Sequence, residues 1–137
     1  MWDLNKEVVA DPVKEARRYV DNAKKTLRED AKLNEDYSAY MDRKYVRAAG
    51  HYLWNAVLIM LEAVFHVDRN KKNRVDIDDY LMVINKRDKK LTAMVLRAYE
   101  VMHLFMGYDG AKDKTVCATG ITLAGEIIDR CATMLTE

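Results

Sequence analysis

Arg97 and His103 lie within one apolar helical pattern, RAYEVMHLFMGYDG, which stops at Gly110. A histidine titrates near neutrality and can give or take a proton, while an arginine offers a planar fork to an oxyanion. At about 100° per residue the two side chains fall on opposite shoulders of a helix, so one helix does not bring them together unaided. A second polar set runs along the chain's most apolar segment: His51, Asn55, Glu62 and His66, with Arg47 one turn earlier. His51 and Asn55, with Tyr108 and Asp109 at the end of the first pattern, make a candidate polar pocket. The same line of residues is also what a hydrogen-bonded boundary between core and solvent requires.

Other chemistries fit less well. A metal centre from His51, Glu62, His66 and His103 lacks a recognised ligand spacing, because Glu62-x3-His66 is neither the E-x-x-H of di-iron bundles nor the HExxH of zinc hydrolases. No metal and no cofactor is expected. Asp68 and Asn70 have the spacing of a calcium loop, but Lys72 takes the next ligand position and the central glycine is missing. No glycine-rich phosphate loop follows a strand. Cys117 and Cys131 are fourteen residues apart on one expected helix, about 21 Å at the usual rise, which is too far for a disulfide. Both fall on its apolar stripe and read as small buried hydrophobes. The basic turns at Arg69 to Arg74 and Lys86 to Lys90 could touch phosphates, but solvated loop charge is the leading reading of them.

The elements that must carry these residues read as helices. Of 137 residues, 50% are hydrophobic and 33% charged, with one proline and five glycines, a balance that favours a helical bundle over strands or disorder. Apolar spacing predicts helices over 12–29, 40–65, 77–85, 89–108 and 114–135. The expected fold is all-α: four main helices in a mostly antiparallel bundle, one short extra helix, and a single domain over 1–137. The polar segment DAKLNEDYSAY reads as a loop. In the fourth helix the expected inward stripe is Leu91, Met94, Val95, Ala98, Met102 and Phe105.

The second helix has two apolar faces. Tyr45, Ala49, Tyr52, Ala56, Met60 and Ala63 form one, and Trp54, Leu58, Leu61 and Phe65 lie almost opposite. Such a helix is either central in its own bundle or presents one face to another subunit. Leu96 and Leu104 likewise face outward on the fourth helix. These six residues, Trp54, Leu58, Leu61, Phe65, Leu96 and Leu104, form the expected homodimer interface.

The net charge of +1 indicates no overall attraction to nucleic acid or acidic membranes. No apolar run approaches the roughly 18 residues of a membrane span. The opening MWDLNKEVV contains acids and no long apolar stretch, so no signal peptide is expected, and the cytoplasm is the expected compartment.

Three features together resemble the HEPN superfamily of helical bundles: an opening helix of the form AxxYVxxAxxxL from Ala16 to Leu27, the small-and-aromatic helix RKYVRAAGHYLWNAVLIMLEAVF, and Arg97-x5-His103. The overall form is also similar to short bacterial HEPN-like proteins. The resemblance implies a homodimer with Arg97 and His103 of each chain at a cleft on the dimer axis. It also implies either a binding or regulatory module or, in nuclease members, metal-independent RNA cleavage with His as acid or base and Arg against the phosphate. Nuclease members commonly carry a polar residue directly after the arginine. Here Ala98 follows and belongs to the inward stripe, and the tail LFMGYDG is apolar. The binding module, with a protein or RNA partner, is therefore the leading expectation, and the RNase is the alternative.

Overall fold

Four aspartates start the long helices. Asp11, Asp42, Asp88 and Asp113 each accept a first-turn backbone N–H, from Lys14, Lys44, Leu91 and, for Asp113, both Thr115 and Val116. A short acceptor at this position satisfies an amide that would otherwise lack a partner. The computed structural model describes residues 11–66 and 77–136. In it, α1 (Pro12–Lys25) runs directly into a π-helical turn, Thr26–Ala31. A hairpin follows (β1, Leu33–Asn34; β2, Ala39–Tyr40), then α2 (Arg43–Val64) and the short α3 (Ile77–Asn85). The helix α4 (Lys89–Ala98) continues as a π-helix, Tyr99–Tyr108, and α5 (Lys114–Leu135) closes the chain. The basic residues Arg69 to Arg74 and the rejected calcium spacing lie outside the described residues.

The predominantly helical class agrees with the sequence, and so do the approximate positions of the helices. The segment read as a loop instead holds the two-stranded hairpin, with Leu33 opposite Tyr40 and Asn34 opposite Ala39. Its outer strand is fixed to the start of α5, since Tyr40 N–H donates to the Lys112 carbonyl at 2.8 Å and Lys114 N–H to the Ser38 carbonyl at 2.9 Å. These long-range backbone bonds are absent from any local pattern.

The helix α2 is the central element and packs on α1, α5 and the π-helix Tyr99–Tyr108. Both of its apolar faces are used within the chain. Trp54, Leu61 and Phe65 are 9%, 0% and 2% exposed, so these three are core residues of this chain and not a free surface. Trp54 meets Tyr99 edge-on at 5.5 Å between ring centroids. The Arg87 guanidinium lies 5.1 Å from the centre of the Phe65 ring. Leu58 is half-buried. Burial of side chains this large stabilises the fold by roughly 1.5–3 kcal/mol each, which explains why the chain covers them itself.

The other end of α4 is tied to α5. Arg130 donates from Nε to Asp88 Oδ2 at 2.7 Å and from a terminal nitrogen to Asp88 Oδ1 at 3.0 Å. The same carboxylate caps α4, and the Arg130 hydrogen bonds, helped by the cap amide, hold it below the ordinary carboxylate range. At the far end Gly110, at φ +66°, stops the π-helix. A Cβ there would also fall 2.2 Å from Arg43 Cγ, so glycine is required for space as well as conformation.

Candidate functional site

Ten consecutive residues in a π-helix are unusual, because i→i+5 bonding is rare and occurs mostly as single-turn bulges, often at functional sites. Here the wide turn changes which residues point inward. Val101, Met102, Met106 and Gly107 are buried, while Phe105, expected inward, is 44% exposed. Each added residue per turn rotates the later positions relative to a 3.6-residue helix.

The π-helix and α2 approach each other backbone to backbone. A Cβ at Gly50 would fall 2.6 Å from both the Gly107 nitrogen and the Met102 oxygen. Gly107 in turn leaves room for His51, whose Cε1 would be 3.4 Å from a Cβ built there. Along this seam the π-helix places His103 on Tyr99, stacked at 5.0 Å between centroids and 26° between planes, with Trp54 at 6.0 Å. His103 Nδ1 is buried and has no hydrogen-bond partner among the described residues. Burial, and secondarily the charge of nearby His51, pushes the His103 pKa below its ordinary value, so the ring is held neutral at pH 7.

Tyr108 and Arg47 complete the seam. Arg47 Nε donates to the Tyr108 carbonyl at 3.2 Å, and the Tyr108 side chain is 77% exposed beside it. Asp109 is exposed next in sequence, and Asn55 is exposed one turn beyond His51 on α2. Of the polar-pocket residues, His51 and Tyr108 thus belong to the same inter-helix seam. Arg47 adjoins the polar line in the sequence, whereas Arg43, one turn earlier, lies outside the candidate set that the sequence defines. Its signal was the four-residue spacing Arg43, Arg47, His51, Asn55.

Arg97 faces elsewhere. It lines a shallow groove with Lys114, Thr115, Thr119, Thr122 and Glu126 of α5, whereas His103 packs towards Trp54 of α2. Leu96 is 48% exposed and Leu104 half-buried. Glu62 accepts a hydrogen bond from the Tyr80 hydroxyl at 2.9 Å and serves to hold α3 on α2. Among the described residues no three His, Cys, Asp or Glu side chains converge as a metal site. Cys117 and Cys131 are buried free thiols, each pushed up to about 12 by burial. Among the described residues no helix is long and apolar enough to cross a membrane.

A helical fold centred on α2, with a π-helix laid along it, defines the structural class. The chain belongs to the family described as domain of unknown function DUF5618, whose model matches residues 11–133. It is similar to a solved structure of a protein of unknown function from Dyadobacter fermentans, at 35% identity and a TM-score of 0.80, covering 90% of this chain and 95% of that one. No curated protein matches it.

Proposed function

We propose that this chain is a HEPN-like bundle acting as a homodimeric binding or regulatory module, with its ligand site at the seam between α2 and the π-helix. The observation that carries this reading is the His103 ring, held neutral between aromatic neighbours with a buried Nδ1 that has no partner among the described residues. An unsatisfied buried polar atom costs about 1–3 kcal/mol, and its retention beside a rare helix type fits a group kept for a ligand. Dimerisation uses the outward face of α4 and the π-helix, where Leu96 and Phe105 are exposed and Leu104 is half-covered.

The metal-independent RNase reading needs Arg97 and His103 to act on one phosphate. Their different neighbours in the chain, α5 for Arg97 and α2 for His103, favour binding over cleavage. Labelled RNA incubated in EDTA with the protein, beside a His103→Ala variant, tests this. Intact RNA in both samples is expected. Cleavage by the wild type that is lost in His103→Ala would overturn the module reading and assign the nuclease.

A further inference from the structure

The segment Tyr99–Tyr108 fits two helical registers. In an α-helical count Phe105 joins Ala98 and Met102 on the inward stripe, and His103 falls on an outer shoulder. Each residue of an i→i+5 turn advances less about the axis than in an α-helix, and from Ala98 to Phe105 the lag amounts to roughly a third of a turn. The π register therefore buries Val101, Met102, Met106 and Gly107, turns His103 onto Tyr99 and leaves Phe105 44% exposed. Apolar side chains fill the inward face in both counts.

The two registers have opposite merits. The π form leaves a large aromatic side chain in water and, among the described residues, the His103 Nδ1 without a partner. The α form covers the first and brings the second to solvent. What holds the π form is close backbone approach. A Cβ at Gly50 would lie 2.6 Å from the Gly107 nitrogen and the Met102 oxygen, and one at Gly107 would lie 2.9 Å from that same oxygen. An α register presents larger side chains to α2 at these levels and stands further from it. The exit can be remade in either register, because the bonds from Asp109 N–H to the Leu104 carbonyl and from Ala111 N–H to the Phe105 carbonyl depend on no side chain.

We propose that Tyr99–Tyr108 is a two-state register switch, π to α, that exchanges Phe105 for His103 at the surface and so governs assembly; the link to assembly rests on Phe105 belonging to the dimer face. The π form presents Phe105 to a second copy. The α form withdraws it. Dimerisation and the π register therefore stabilise each other, since a second copy meets its apolar contact in only one of the two states.

Phe65 and Phe105 are the chain's two phenylalanines, and Phe65 is buried in the core. Fluorine labelling of phenylalanine thus gives one reporter and one internal reference. The test is fluorine NMR of the full chain carrying Leu96→Glu to keep it monomeric, with saturation transfer to find a minor state and a soluble paramagnetic agent to grade exposure. An accessible Phe105 signal is expected to exchange with a protected one populated at about 0.1–10%. Gly107→Ala, which crowds the π form, should raise the protected population about tenfold or more, and Gly50→Ala should act in the same direction. His103→Leu, which removes the unpaired nitrogen, should lower it. In the chain without Leu96→Glu, sedimentation should show dimerisation weakened about tenfold by Gly107→Ala and strengthened by His103→Leu.

A single accessible Phe105 signal that all three variants leave unchanged would overturn the switch, whatever the assembly state. If Gly50→Ala does not fold, Gly107→Ala and His103→Leu still decide, because their expected signs are opposite. Phe105 exchange in a dimer whose affinity ignores these variants would overturn the link to assembly. A chain that is monomeric at every concentration would overturn that link together with the homodimer reading, and would leave the register exchange standing.

Discussion

His103 sits in a place where a phenylalanine would pack as well and a histidine costs stability. Its stacking on Tyr99 and contact with Trp54 need only an aromatic ring, while its buried Nδ1 has no partner among the described residues. A His103→Phe variant should therefore be more stable by about 1 kcal/mol, measured by urea unfolding at pH 7. The variant should also change the pH response. Burial, and then His51, hold the folded pKa below its ordinary value. As pH falls below about 6.5 the unfolded chain therefore takes a proton that the folded chain refuses, and stability drops. That component of the slope should vanish in His103→Phe and persist in wild type. An unchanged acid-side slope would mean that His103 is not held neutral. The sequence showed His103 as a candidate because of its type and apolar setting. It could not show the missing partner, which depends on how Trp54 and Tyr99 close around the ring.

At the scale of elements, the approach of α2 to the π-helix depends on two glycines. Gly50→Ala places a methyl 2.6 Å from backbone atoms of the π-helix, which cannot move aside as a side chain end could. The expected loss is about 3 kcal/mol, read as a lower urea midpoint with an unchanged m-value. A neutral effect would show that the two backbones are not in contact. Gly125, with open space around a built Cβ, is the matched control and should tolerate alanine. The helices were legible because their apolar spacing and aspartate caps are local signals. The π-helix was not, because the apolar residues from Leu91 to Phe105 also fit a 3.6-residue stripe. Phe105 exposed and Met106 buried is the displacement that results. Gly107 within an otherwise apolar run was the available hint of close backbone approach. The hairpin was hidden for another reason, since its outer strand is held by backbone bonds to residues some seventy positions later.

At the scale of the whole molecule, the two apolar faces of α2 admitted two arrangements, and burial within one chain accounts for Trp54, Leu61 and Phe65. This removes half of the expected interface from consideration and concentrates the dimer proposal on Leu96, Leu104 and Phe105. Exposed apolar residues are common singly, so their clustering on α4 and the π-helix is what the proposal needs tested. Sedimentation velocity over a wide concentration range does this most directly. A homodimer of about twice the 15.9 kDa chain is expected, with Leu96→Glu/Phe105→Glu shifting it to monomer at unchanged helicity. A wild-type species that stays near 15.9 kDa at every concentration would contradict the homodimeric module.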